Sequence, residues 1–195
     1  MCNRYGFQNP LHKLLQMFED AGMHLEIPPT NLEPREEIKP TDRAPILMGD
    51  GDGARLEEMK WGFKPFRPKA APVINFRSEG RVFAKGRALA PASHFFEFTG
   101  PADPKQKRKD QWKFELADGE PMMLAALARG PEDDWPTSFT LLTRDAGVDI
   151  GPFHDREIIV VPRELWRPWL TGETFKGEDL PPLAGGSLAV KQTYP

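Results

Sequence analysis

Leu11, Leu14, Leu15 and Phe18 recur at helical spacing, framed by Asn9-Pro10 before them and Gly22 after them. The pattern predicts a short core-facing helix capped by Asn9, with Pro10 at its first position. Beyond it the chain reads mostly as strands. Residues 26–55 are rich in Pro, acids and Gly, with a loop predicted over 49–53, and within them Ala44-Pro45-Ile46-Leu47-Met48 is a continuous apolar run. Met59, Trp61 and Phe63 alternate with polar or small residues, and Pro65, Pro68 and Pro72 then space out a basic loop. Residues 73–77 form another strand pattern that ends in Ser78 and Glu79, and 88–98 is a further apolar stretch. The runs 112–117 and 122–128, joined through Asp118-Gly119, predict a β-hairpin. Strands follow at 138–143 and 158–161, with a polar turn through His154 between them, then a short helix over 163–170, and one strand at 187–190 in a Gly- and Pro-rich tail. Together these elements predict one α+β domain over residues 1–195. It is mainly antiparallel sheet curled into a barrel-like core, with a few short flanking helices.

Composition sharpens this picture. Prolines number 21 in 195 residues, which favours many short elements joined by stiff turns over a helical bundle. A single cysteine excludes an intramolecular disulfide, and with four scattered histidines no structural zinc site is expected. No metal or other cofactor is expected. No apolar run reaches 18 residues and no signal-peptide pattern is present, so a soluble, cytoplasmic protein with no membrane partner is expected.

The net charge of −3 argues against nucleic acid until its distribution is considered. From Lys60 to Lys113 thirteen Lys and Arg face four acids, a local charge of +9, while the rest of the chain carries −12. A basic face on an acidic body is a footprint of nucleic-acid binding, and it is equally the pattern of a solvated charged surface.

Three residues carry candidate chemistry. Cys2 follows the initiator methionine and is small enough for Met1 to be removed. The mature chain would then begin with a free α-amine beside a free thiol, a 1,2-aminothiol that condenses with aldehydes to a thiazolidine. Near neutral pH both groups are partly nucleophilic, since they titrate at about 8 and about 8.5. A lone cysteine is otherwise most often a small buried hydrophobe. Glu97 sits inside the aromatic run Phe95-Phe96-Glu97-Phe98, a surround that raises a carboxyl pKa, although strict alternation would also suit an edge residue facing solvent. His154, followed by Asp155, is either a turn residue or a proton carrier. His12, His24 and His94 have no polar company that suggests a role.

An ordered set of motifs then resembles the SOS response-associated peptidase (SRAP) family, whose members shield abasic sites in single-stranded DNA. The set runs Met1-Cys2-Asn3-Arg4, Pro40-Thr41, Lys60-Trp61-Gly62-Phe63-Lys64-Pro65 and Ile74-Asn75-Phe76-Arg77-Ser78-Glu79. It continues through Pro91-Ala92-Ser93-His94-Phe95-Phe96-Glu97-Phe98, Leu142-Thr143 and His154-Asp155-Arg156, and covers about residues 1–170. The chain departs from the family pattern at Asn3, usually Gly, at Phe76 and Ser78, usually Ala, and at Glu157, usually Met. It also has His94-Phe95-Phe96-Glu97-Phe98 where the family usually has Gly-Phe-Tyr-Glu-Trp. The reactive residue types are kept at every matched position.

The resemblance implies that Cys2 links covalently to the open-chain aldehyde of an abasic site. It assigns Glu97 as acid/base, His154 to the sugar ring oxygen and Asn75 to orienting the amine or a sugar hydroxyl. Arg77 and Arg156 would hold phosphates, and Arg4, Pro40, Thr41, Trp61 and Thr143 would contact neighbouring nucleotides. The implied partner is single-stranded DNA containing abasic sites, bound by a monomer that joins the nucleoid on damage. Weak strand cleavage by β-elimination and self-reversal fit the same chemistry. Two other readings stay open: a cysteine-type (auto)peptidase with Cys2 as N-terminal nucleophile, and a non-covalent single-strand binding module.

Overall fold

The computed structural model describes residues 3–29, 32–103, 105–172 and 174–194, so Cys2 lies outside the described residues. In chain order the elements begin β1 (Tyr5–Phe7), α1 (Leu11–Asp20), β2 (Leu25–Glu26), β3 (Arg35–Ile38), β4 (Arg43–Asp50), β5 (Gly53–Trp61) and β6 (Asn75–Arg77). Next come β7 (Val82–Phe83), β8 (Arg87–Ala92), β9 (His94–Thr99), β10 (Asp110–Leu116) and β11 (Met122–Arg129). The chain ends with β12 (Ser138–Asp145), β13 (Arg156–Ile158), α2 (Trp166–Thr171), β14 (Phe175–Lys176) and β15 (Leu188–Tyr194).

Two sheets share the core. The larger runs β13-β12-β11-β8-β4-β5-β2, with β6 beside β12, and it curls until β12 meets β5 through the pairs Ser138↔Lys60 and Phe139↔Trp61. A ring results, mainly antiparallel, as the apolar patterning predicts. Trp61 sits where the ring closes. It is 0% exposed, its indole N–H donates to the Ile74 carbonyl at 3.0 Å, and its ring meets those of Tyr5 and Phe139. The second sheet runs β15-β10-β9-β1-β3, and β7 and β14 form a small two-stranded ribbon.

The predicted hairpin of β10 with β11 does not form. The turn itself is real: Gly119 has φ 75 and donates to the Leu116 carbonyl at 2.9 Å. The two strands nevertheless enter different sheets, β10 between β9 and β15 and β11 between β8 and β12. Their burial explains this. Met122 through Ala126 are all buried, so β11 needs cover on both faces, whereas in β10 only Asp110 and Phe114 are fully buried.

The single apolar stretch 88–98 is likewise two strands, β8 and β9, in two sheets. The corner is Ser93. Its N–H donates to the Gly6 carbonyl at 2.8 Å, and its hydroxyl accepts from the Gln8 N–H at 2.8 Å and donates to Asn9 Oδ1. Asn9 is therefore spent on this corner and does not cap α1, whose N-cap is Pro10 without a side-chain bond. Leu14, Met17 and Phe18 of α1 face the core, and Leu15 is exposed. The expected loop at 49–53 is a tight turn that closes the β4–β5 hairpin, with Gly51 at φ 56.

The tail is more ordered than its composition suggests. Phe175 pairs with Phe83, and β15 lies along β10 from Leu188 to Tyr194. Asp149 fixes its approach by accepting from the N–H groups of Gly186 at 2.8 Å and Leu188 at 3.0 Å.

Candidate functional site

Glu97 lies on β9 and is 1% exposed. Its cross-strand neighbour is Trp112 of β10, whose indole N–H is held by Thr99 Oγ1 at 2.9 Å. Burial pushes the Glu97 carboxyl up to about 7, and the negative charge of Asp155 adds to the push. At neutral pH the group is therefore close to half protonated.

The turn that carries His154 docks on the same sheet through its neighbour in sequence. Phe153 packs on Trp112 at 4.8 Å and edge-on to Phe114 at 5.2 Å, so the turn over 147–155 is pressed onto the sheet beside Glu97. Backbone bonds from Phe153 and His154 to the Ile150 carbonyl fix that turn. His154 Nδ1 accepts from the Arg156 N–H at 2.9 Å and lies 2.8 Å from Asp155 Oδ1. The first contact suits a neutral ring and the second an imidazolium. Burial holds the pKa below its usual 6.5, which decides for the neutral ring at pH 7. With Nδ1 accepting, the proton sits on Nε2.

Asn75 opens β6, is half-buried, and pairs in parallel with Leu141 of β12. Two residues on, Arg77 is exposed and pairs with Thr143. At the start of the chain, the Arg4 carbonyl accepts from the Phe96 N–H at 2.9 Å, next to Glu97, and Tyr5 pairs with Phe95. The Arg4 guanidinium bonds Glu37 at 3.0 Å and lies over the Phe98 ring.

Three of the expected DNA contacts, Trp61, Thr143 and Arg156, are interior residues. Trp61 has no exposed ring to stack on a base. Thr143 is buried beneath Arg156. Arg156 itself is 4% exposed and gives its donors to Glu79, Asp145 and Thr143 instead of offering them to a phosphate. Pro40 is half-buried and Thr41 exposed, on a corner where Thr41 takes the left-handed φ of 76 and its N–H donates to the Trp61 carbonyl at 2.8 Å.

No role was expected of Phe153 and Trp112, whose contact docks the His154 turn on the sheet of Glu97, or of Asp155, whose charge acts on the Glu97 carboxyl. An aromatic directly before the candidate histidine was the available signal. The sequence reading also passed over Phe66, 81% exposed in the loop that carries Arg67 and Lys69. One contributor to the basic stretch, Arg87, is buried and adds nothing to a surface. Among the described residues no cluster of three or more His, Cys, Asp or Glu could hold a metal ion, and no helix is long and apolar enough to cross a membrane.

Solved structures share this architecture. A phage-related protein from Bordetella bronchiseptica superposes with a TM-score of 0.75 at 22% identity, covering 98% of this chain and 94% of that one. A protein from Bacteroides thetaiotaomicron superposes with a TM-score of 0.75 at 15% identity, covering 98% and 91%. Among sequences, the abasic site processing protein YedK of Escherichia coli (strain K12) is 26% identical over 203 aligned positions, 98% of this chain and 89% of that protein. The abasic site processing protein YoqW of Bacillus subtilis (strain 168) is 23% identical, covering 87% of this chain and 80% of the relative. The sequence model of the family described as SOS response associated peptidase (SRAP) matches residues 1–188, further into the tail than the motifs alone extend, and the chain belongs to that family.

Proposed function

We propose that this protein recognises abasic sites in single-stranded DNA and joins to them covalently through Cys2 after Met1 is removed. The reading rests on one observation above all. A buried carboxyl titrating at about 7 lies on the sheet where the turn of a neutral histidine is docked through Phe153 on Trp112, one residue from the backbone bond between Phe96 and Arg4. Cys2 stands two positions before Arg4, a reach of at most about 7 Å. The relatives' names point the same way, since they are abasic site processing proteins.

In the proposed reaction, Glu97 in its acid form protonates the ring oxygen of the closed sugar as the C1′–O4′ bond breaks, and the 1′-hydroxyl gives its proton to water, leaving the open aldehyde. Nε2–H of His154 steadies that oxygen as charge develops on it. The Cys2 amine adds to C1′, and the carbinolamine loses water to give an imine. The thiol sulfur then adds to the imine carbon while the nitrogen takes up the thiol proton. An aldehyde and an aminothiol become a thiazolidine and one water. Asn75 orients the amine or a sugar hydroxyl, and Arg77, Arg4 and the Pro40-Thr41 corner meet the flanking strand. Phe66 with Arg67 and Lys69 adds an exposed ring among cations, the combination that tracks an unpaired backbone. The imine also permits β-elimination, hence weak lyase activity. We place the reaction inside the cell, on one chain of one domain per lesion.

The test mixes the protein with a single-stranded oligonucleotide carrying one abasic site and runs a denaturing gel. The expected result is a shifted band that needs the lesion and vanishes in Cys2→Ser. No band, from protein whose intact mass lacks Met1, overturns the reading. The family description also names a peptidase, which favours a second reading in which Cys2 attacks a peptide carbonyl. That reading requires peptide cleavage, or Met1 release by the protein itself, lost in Cys2→Ser.

A further inference from the structure

Phe98, Gln111 and Tyr194 stand directly opposite one another across β9, β10 and β15, on one face of the five-stranded sheet. With Arg4, Arg108 and Lys109 they line a cavity of about 390 Å³. We propose that this cavity is a nucleotide subsite, taking the base and phosphate of an unpaired nucleotide near the lesion. The inference rests on the function proposed above and assigns one position of the bound strand.

The wall carries three cations and no carboxylate. It also holds two rings, each already beside a guanidinium: Arg4 lies 5.2 Å from the Phe98 centroid and Arg108 5.7 Å from that of Tyr194. A base offers a π-face to the rings and a phosphate offers charge to the cations, which is how sequence-tolerant single-strand sites are built. Gln111 supplies a third, independent pointer. Its Nε2 is buried and has no hydrogen-bond partner among the described residues, while its Oε1 lies 3.3 Å from Thr193 Oγ1. A buried amide donor left unpaired costs free energy that an acceptor on a base edge would recover.

The cavity is next to the proposed chemistry. Phe98 follows Glu97 along β9 and faces the opposite side of the sheet, with the two Cα atoms about 3.8 Å apart. Lys109 is close enough to His154 for its charge to act on the ring. A strand passing the β9–β10 end of the sheet would meet both. Tyr194 lies beyond the residues that the family match covers, so the subsite depends on this chain's own C-terminal strand.

The experiment measures the anisotropy of a labelled, undamaged oligothymidylate with the wild type, Tyr194→Ala, Tyr194→Phe and Arg108→Glu. Loss of one stacked base predicts that Tyr194→Ala binds about 5- to 100-fold more weakly, while Tyr194→Phe stays near wild type. Arg108→Glu should weaken binding and flatten the slope of log affinity against log salt by about 0.7, one phosphate contact. Wild-type affinity in Tyr194→Ala overturns the subsite, as does equal weakening in Ala and Phe, which would trace the effect to the hydroxyl or to strand pairing. An Arg108→Glu protein with unchanged slope also overturns it. If the wild type binds no single strand, the parent reading falls and takes the subsite with it. Wild-type binding with an indifferent Tyr194→Ala removes the subsite alone.

Discussion

Glu79 accepts from both terminal nitrogens of Arg156, at 2.6 and 2.9 Å, and Asp145 and Thr143 take the second hydrogen of each. The pairing ties the first residue of β13, two past His154, to the segment just after β6, which carries Asn75. Arg156 is thus a positioning residue, and the cohesion of the candidate site depends on Glu79, a motif acid of which no role was expected.

Its loss should be felt most at neutral pH and least in acid. Hydrogen bonds from Arg156 hold the Glu79 carboxyl down at about 2, against an ordinary value of 4.5. A depressed carboxyl stabilises the fold above its unfolded pKa and loses that contribution as pH falls through the folded value. The window therefore runs from about 4.5 down to about 2. Glu79 is part-exposed, so solvent screens the pair below the cost of a fully buried one, and Glu79→Gln should lose about 1–2 kcal/mol at pH 7. The wild type gives up this contribution in acid, so the gap between the two proteins should narrow there. Thermal melts at pH 7 and pH 3 check this. Equal destabilisation of the variant at both pH values would contradict it.

Glu97→Gln tests the proton donor. A positioned acid contributes roughly 10²- to 10⁴-fold, so crosslinking in the variant should slow by that order while single-strand affinity holds. In the wild type the rate should fall as pH rises through about 7, where the carboxyl loses its proton. That alkaline limb should vanish in Glu97→Gln. Its persistence would assign the proton to another group.

Arg87 makes a purely structural prediction. Its buried guanidinium donates to the carbonyls of Phe83, Trp169 and Gly172, closing the C-terminal end of α2, and it makes no ion pair with an acid among the described residues. Burial accordingly lowers its pKa. Arg87→Met strips three carbonyls of their donor and should cost about 3 kcal/mol in denaturant unfolding, with little dependence on salt. A loss that disappears in high salt would point to surface electrostatics instead.

Thr41 is β-branched and yet holds φ 76, a region that favours glycine. Relief of that strain, less the added freedom of glycine when unfolded, predicts that Thr41→Gly is more stable by about 0.5–1 kcal/mol. A melting temperature at or below wild type would refute the strain.

Phe66 offers the simplest DNA test. Phe66→Ala should weaken binding of undamaged single strand by about 5-fold or more without changing the salt slope, because stacking carries no charge. A variant that binds as tightly as wild type would remove the loop from the interface.

Much of the strand inventory is legible in sequence, because alternation and apolar runs are local properties. The runs 44–48 and 138–143 fall inside β4 and β12, and of the two readings that the aromatic run left open for Glu97 the buried one holds. Turns are local too, and Asp118-Gly119 is a turn. Which strands a turn joins is not a local matter, and there the prediction failed. A continuous apolar strand, β11, must be covered on both faces, so it left its sequence neighbour β10 for β8 and β12.

The sequence by itself determined the kinds of residue available for chemistry, the mainly antiparallel class of fold and the asymmetry of charge. It could not assign which polar groups remain available. Arg156, Thr143 and Trp61 match motif positions that suit DNA, and the fold turns all three inward. Conversely, Phe153 docking on Trp112 brings the turn that carries His154 onto the sheet of Glu97 from 57 residues away along the chain, and β15 carries Tyr194 across to Phe98. The physical reason is common to each case. Burial and hydrogen-bond partnership are set by neighbours distant in sequence, so tertiary packing alone decides which side chains are spent on structure and which are left for a ligand.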